Sequence, residues 1–303
     1  MQKHKLLSNP FAIPGKWFKG NTHSHTTNSD GALASDGMCD LYAAAGYDFL
    51  FITDHNKLTD ITGLSNDRLA VFPGEEMEVG ATELGYPFHI IALGIRQGID
   101  CGSIKDAQQA VDAAIQQKGV VLIAHPYWSQ LTVRDMFSLR GTVGFEVYNT
   151  SCEYSISKGN AITWWDEMLL RGNLTWGVAA DDAHYHYNEH RPVDTCGAWI
   201  MVKADSLAMA SILTAIQDGN FYSSTGPEIK NIAVRQDSIR VESSPVRIIN
   251  FVSQQRHGER FTASAEQRLT GAEYTIKGNE KFIRIECVDF QGKTAWTNPV
   301  YFK

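Results

Sequence analysis

The sequence predicts an α/β domain with the span of a closed barrel, followed by a small antiparallel β domain. Three observations carry this reading. Strand-like apolar runs alternate with helix-like segments from about residue 17 to 227. After about residue 228 the texture changes to short β-rich runs separated by turn signals. Imidazoles and carboxylates collect at the ends of the apolar runs, where a barrel of this class places its active face.

Taken in order, Ser35 or Asp36 starts a helix that runs to Ala45 and stops at Gly46. Tyr47–Thr53 (YDFLFIT), Val120–Ala124 (VVLIA), Val143–Val147 (VGFEV) and Leu174–Ala179 (LTWGVA) read as buried strands. Their near-continuous apolarity suits parallel strands covered on both faces. Ser103 is placed to cap a helix to Lys118, with Ile104, Ala107, Val111 and Ala114 on one face and Gly119 beyond. Asp205 is placed to cap another through Asp218, with Leu207, Leu213 and Ile216 inward and Gly219 as the stop.

Residues 1–227 therefore form the first domain and 228–303 a small β-sandwich. The second is built from runs 229–235, 238–241, 247–253, 274–277, 282–289 and 294–302.

Composition removes several classes of function. No apolar run approaches about 18 residues, which argues against a membrane-spanning helix. The N-terminal stretch has basic residues but no apolar core and no small-residue cleavage site, so it reads as mature sequence. The five cysteines are scattered and never form C-x-x-C, which argues against a disulfide framework and a thiolate zinc site. A reducing compartment, the cytoplasm, fits this usage. With 27 basic against 34 acidic residues and no basic stripe, long nucleic acid is not an expected partner. Short phosphate-bearing substrates remain open, because bound metals supply the positive charge the chain lacks. Oligomeric state is not encoded in any of these features.

The positions of the histidines point to chemistry. His23-Ser24-His25 follows Trp17-Phe18-Lys19-Gly20, and in extended backbone residues i and i+2 share a face, so both imidazoles can reach one ion. Asp30-Gly31 follows in a loop, and Asp54-His55 ends the YDFLFIT run. Glu75-Glu76 follows Pro73-Gly74, His89 opens FHIIALGI, and His125-Pro126 ends VVLIA. Asp182-Ala183-His184 ends LTWGVAA as a second i, i+2 pair. Each alone has a bland explanation, as a surface pair, a helix cap or a satisfied core histidine. Together they do not, because gathering such groups in a core costs several kcal/mol unless metals or partners compensate. His186 and His190 either line the pocket or sit in a solvated loop, and His4 and His257 read as solvated.

The order of these motifs resembles the PHP family, the polymerase and histidinol phosphatase-type metal-dependent phosphoesterases. The motifs are His23-x-His25, Ser29-Asp30-Gly31, Thr53-Asp54-His55-Asn56, Gly74-x-Glu76, His89, Ala124-His125-Pro126 and Asp182-x-His184. The likeness covers roughly residues 17–225, and the small β domain resembles a C-terminal addition seen in some members.

The resemblance implies a distorted (β/α)7 barrel with a trinuclear site. One metal takes His23, His25, Glu76 and Asp182. A second shares Glu76 and adds His89 and His125. A third takes Asp30, His55 and His184. Asp30 follows an accepted variant, since some relatives carry histidine there. Glu75 stands where many relatives carry an apolar residue, and Glu76 is the glutamate taken to bridge. Asp54 is expected to orient a ligand rather than bind metal. Glu76, Asp182 and His184 are the residues expected to carry catalysis, and His190 and Arg191 to grip a phosphate or the leaving group.

The cofactors implied are two or three divalent ions, Zn, Mn or Fe, between which N and O ligands do not choose. A water bridging two such ions, deprotonated near neutral pH, would attack phosphorus in line. The expected activity is hydrolysis of a small phosphate monoester or nucleotide. The alternatives are a 3′–5′ nuclease on short oligonucleotides and a non-catalytic, metal-stabilised binding module. Hydrolysis of a carbonyl or C–N bond is a further option, but no lysine occupies a matched strand end to bridge the metals.

Overall fold

The computed structural model describes residues 4–5, 9–264 and 266–302. Its first part comprises β1 (His4–Lys5), β2 (Lys16–Asn21), α1 (Ser35–Ala44), β3 (Phe49–Ile52), β4 (Ala70–Val79) and β5 (Phe88–Leu93). There follow α2 (Ala107–Gln116), β6 (Val120–Ile123), α3 (Val133–Ser138), β7 (Gly144–Asn149), α4 (Thr150–Ile156) and α5 (Ile162–Leu170). Next come β8 (Trp176–Ala180), β9 (Trp199–Ala204), α6 (Met209–Gln217) and β10 (Phe221–Ser224). The C-terminal part holds β11 (Ile229–Val234), β12 (Ser238–Val246), β13 (Ile248–Val252), β14 (Gly258–Thr262), β15 (Leu269–Thr275), β16 (Phe282–Val288), β17 (Thr294–Thr297) and β18 (Val300–Phe302).

The four apolar runs read as strands become β3, β6, β7 and β8, and every residue of these four but Tyr148 is buried. They belong to one sheet with the order β9-β2-β3-β4-β5-β6-β7-β8. Pairing is parallel at β2/β3, β3/β4, β6/β7 and β7/β8. It is antiparallel at β4/β5 and β5/β6, because the short link after β4 has no crossover helix and turns straight back.

At the far end β8 returns to the beginning of the sheet. Ala179 N–H donates to Ser223 Oγ (2.9 Å), whose hydroxyl donates to Gly177 O (2.7 Å). Asp181 N–H donates to Asn21 Oδ1 (3.0 Å), and Ser24 bridges Ala183. The C-terminal ends of β2 and β8 therefore meet, and the loops after them share one mouth.

The interior is filled by aromatic and branched side chains, with Phe49, Phe51 and Phe72 in mutual ring contact and Trp165 fully buried. Burying each such side chain contributes roughly 1.5–3 kcal/mol, and truncating Phe51 to alanine would cost about 3–5 kcal/mol.

Two helix starts differ from expectation. Ser103 lies in a 3-10 turn (Cys101–Ser103), and extended backbone at Ile104 separates it from α2. Asp106 caps α2 instead, its carboxylate accepting from Gln109 N–H at 3.0 Å. Asp205 is likewise too early, since α6 begins after Ala208 with no side-chain cap. Helices α3, α4 and α5 were not expected; each is short, with little room for a periodic apolar face.

The C-terminal part is antiparallel throughout. A separate sheet, β11-β12-β15, packs over β13 and β16 around Ile239, Val241, Ile249, Phe251, Tyr274 and Ile285. The remaining strands continue the main sheet, because β17 pairs with β10. Across this seam buried Arg284 reaches Asp166 of α5 (2.7 and 2.9 Å) and Glu286 (2.5 Å). Among the described residues no helix is long and apolar enough to cross a membrane.

Candidate metal centre

The chain beyond β2 stays extended through residues 22–25, held by His25 N–H to Ala183 O (2.8 Å) and Thr53 N–H to Ser24 O (2.9 Å). Strand parity then sends His23 and His25 to the same side, their Nε2 atoms 3.0 Å apart. Parity also separates the two glutamates of β4. Glu75 faces away and accepts from Ile99 N–H at 3.0 Å, whereas Glu76 points into the mouth.

Glu76 is the hub. Its Oε2 lies 3.0 Å from His23 Nε2 and 3.2 Å from both His25 Nε2 and His55 Nδ1. Its Oε1 lies 2.9 Å from His89 Nδ1 and 3.0 Å from His125 Nε2. Asp182 Oδ1 stands 3.0 Å from His25 Nε2 and 3.2 Å from His23 Nε2. Asp30, more than half exposed, sits 3.5 Å from His184 Nε2 and 3.7 Å from His55 Nε2 and His25 Nδ1.

The donor atoms fall into three groups, each compact enough to hold a cation: His23, His25, Glu76 and Asp182; His55, Glu76 and His89; and His25, Asp30, His55 and His184. His125 touches Glu76 beside His89 rather than completing the second group. His55 thus stands between the second and third groups, and His25 between the first and third.

The donors fit divalent cations. They are imidazole nitrogens and carboxylate oxygens, and His55 Nδ1 is buried without a hydrogen-bond partner while aimed at the cluster. Without cations the cluster holds protons. Burial alone would push the His23, His25 and His89 imidazoles down, but Glu76 and Asp182, with Glu146 at His23, carry all three above the usual range. Burial would raise Glu76 and Asp182, yet the surrounding imidazoles hold both well below the normal carboxylate range.

One ligand carries backbone strain. Asp182 adopts φ 55°, a left-handed conformation that aspartate tolerates better than most residues. Its carbonyl meets His184 Nδ1 at 2.8 Å, leaving Nε2 toward Asp30. Gly31 is required as glycine, because a Cβ would lie 2.4 Å from the His25 carbonyl oxygen.

Asp54 makes no hydrogen bond to an imidazole. It accepts from Thr26 N–H (2.7 Å), Thr26 Oγ1 (2.8 Å) and Ser29 Oγ (2.7 Å), and so shapes the loop that carries Asp30. His190 and Arg191 are not brought to the cavity. The loop after Tyr185 folds on itself through Asn188, and the His190 side chain is 84% exposed beside Glu189. His186 reaches Asp30 O at 2.7 Å from the exposed side. His257 is half-buried rather than solvated, and the side chain of His4 lies outside the described residues.

Four contributors were missed. Fully buried Glu146 lies 2.7 Å from His23 Nδ1 and accepts from His125 N–H (2.9 Å) and Asn149 Nδ2 (2.7 Å). A lone charge inside the apolar run VGFEV was its signal. Ser129 Oγ meets His125 Nδ1 at 2.9 Å. Asp194 accepts from the backbone of His184 (3.2 Å) and Tyr185 (2.8 Å), and buried Cys152 Sγ lies 3.9 Å from Asp182 Oδ2. Nothing in the local sequence marked these last three.

No family model matches the sequence, and no curated protein does. Solved structures do match. A two-domain protein from Bacteroides vulgatus, assigned a PHP-like metal-dependent phosphoesterase domain, aligns over 96% of both chains with 14% identity and a TM-score of 0.50. An amidohydrolase from Chromobacterium violaceum, with bound sulfate and no metal, covers 55% of this chain and 87% of its own at 16% identity and TM-score 0.44. A protein from Bifidobacterium adolescentis assigned as a metal-dependent phosphoesterase covers 57% and 89% at 14% identity and TM-score 0.43. The chain thus has a mixed α/β fold with a C-terminal antiparallel part. Along its whole length it shares the architecture of the two-domain PHP-like protein.

Proposed function

We propose that this chain is a PHP-type metal-dependent phosphoesterase that hydrolyses a small phosphate monoester or nucleotide. In this reading residues 1–227 form a distorted barrel that carries the reaction, and 228–303 form an accessory β domain. The observation that supports it most is Glu76, one fully buried carboxylate in contact with five imidazoles. Structural ion pairing does not need five partners for one anion, and such a gathering is costly unless cations share it.

His23, His25, Glu76 and Asp182 would hold one ion, His55, Glu76 and His89 with adjacent His125 a second, and His25, Asp30, His55 and His184 a third. Bound there, Zn, Mn or Fe would supply Lewis acidity to the phosphoryl oxygens and make water nucleophilic near neutral pH. The protein's part is orientation. Glu146 at His23 Nδ1, Ser129 at His125 Nδ1 and the Asp182 carbonyl at His184 Nδ1 each occupy one ring nitrogen and leave Nε2 toward the cluster. Glu76 and Asp182 carry the buried anionic charge, and His184 marks the rim. The cavity over these groups, about 160 Å³, suits a phosphoryl group rather than a polymer strand. Five free cysteines suit the cytoplasm.

The test is turnover. Metal-loaded protein should release phosphate from small monoesters, and chelation or Glu76→Gln should abolish it. Retention of metal with no hydrolysis of any phosphoester would overturn the proposal in favour of a binding module.

A further inference from the structure

The cavity over the cluster has two unlike walls. One consists of imidazoles and carboxylates of the metal centre. The other is Trp128, Ser151, Cys152 and Ser155, and no lysine or arginine is among the described residues that line the space.

Trp128 is positioned by a hydrogen-bonded turn and by ring contacts on one side. It sits in the turn after His125, closed by Ser129 N–H to His125 O (3.1 Å) and Leu131 N–H to Pro126 O (2.9 Å). Its ring stands nearly perpendicular to the imidazoles of His125 (77°, 5.1 Å) and His89 (80°, 5.5 Å). Yet the residue remains 42% exposed, so indole surface stays open to whatever enters beside the metals. An aromatic surface positioned in advance loses little entropy when a ring stacks on it.

The hydroxyls set the polarity of this wall. Ser151 Oγ donates to Asp194 Oδ2 (3.1 Å) and Ser155 Oγ donates to Cys152 O (3.3 Å). Each hydroxyl has one proton, already committed to these acceptors, so what it offers a ligand in the cavity is its lone pairs. With no lysine or arginine among the described lining residues, this wall accepts N–H or O–H donors and gives an anionic group on the leaving side no side-chain counter-charge.

We infer that this wall selects the alcohol side of the ester. The preferred substrate is a monoester whose leaving group carries an aromatic ring that lies on Trp128 and bears no second anionic group. This rests on the phosphoesterase reading and narrows it to a substrate class.

The test uses Mn²⁺-loaded full-length protein and non-hydrolysable probes. Binding of phenylphosphonate, methylphosphonate and 4-carboxyphenylphosphonate is measured by calorimetry, alongside hydrolysis of the matching phosphate esters. Phenylphosphonate should bind about tenfold tighter than methylphosphonate, and the added carboxylate should cancel that gain. Trp128→Ala should lower the phenyl-to-methyl ratio about tenfold, with metal content by elemental analysis unchanged, and Trp128→Phe should recover most of it. A ratio indifferent to Trp128→Ala, equal binding of the carboxylated probe, or no binding of either simple phosphonate overturns the inference. Trp128-dependent phosphonate preference without ester hydrolysis would sustain it and overturn the phosphoesterase reading. Hydrolysis with equal phenyl and methyl preference would do the reverse.

Discussion

Glu146 Oε1 lies 2.7 Å from Nδ1 of His23, and both residues are fully buried. The same carboxylate accepts the backbone N–H of His125 through its other oxygen (2.9 Å). One side chain on β7 therefore orients donors that arrive from β2 and β6.

Glu146→Gln should keep the fold and lower metal affinity about 10–100-fold, because the anionic partner that orients His23 is lost. Glu146→Ala should also destabilise the protein by about 1–3 kcal/mol, since the His125 N–H is left unsatisfied in the core. Metal titration monitored by calorimetry, with thermal melts of the chelated protein, checks both. Unchanged affinity in both variants would remove Glu146 from the site.

His25→Ala should remove activity while leaving the circular dichroism spectrum close to that of the parent. His25 Nε2 serves the first donor group and its Nδ1 side the third, so its loss weakens two sites at once. Unchanged turnover would show that His25 is not a ligand.

Metal uptake should release protons at pH 7. Burial lowers the His184 imidazole, but Asp30 and Asp182 outweigh it and carry it up to about 9. A raised folded value means that the metal-free protein gains stability from this proton below pH 6.5 and loses it as pH climbs through about 9. A cation needs the neutral ring, so apparent affinity should rise from pH 6.5 toward 9 and level off above it. Calorimetry in buffers of different ionisation enthalpy counts the protons; a count of zero at pH 7 contradicts the picture.

Arg284→Ala should cost about 1–3 kcal/mol, because half-buried Asp166 and Glu286 would lose their shared cation and only Glu286 would keep a side-chain donor, Asn250. Arg284→Met with Asp166→Leu should recover much of that loss by replacing the pair with apolar contact against Trp165. Chemical denaturation measures both, and a neutral single mutant would show that the seam does not depend on this pair.

Reading the residues in order was enough to find His23, His25, His55, His125, Asp182 and His184. Each lies at the end of an apolar run or in an i, i+2 pair, and such local periodicity is written into the chain. The placement of four central strands and the antiparallel character of the C-terminal part were legible for the same reason. The choice of Glu76 over Glu75 came instead from the Gly74-x-Glu76 likeness, since the local pattern does not make it. It depends on which face of β4 turns inward, and that is set by its register with β3 and β5 rather than by neighbours in sequence. Cys152 entered the site through long-range convergence, Asp194 through a loop that closes back on His184 and Tyr185, and Ser129 through the turn after His125; His190 and Arg191 left it because their loop bonds to itself. Spacing along the chain determines which side chains can share a face; only the closing of distant strands on one another determines which faces meet.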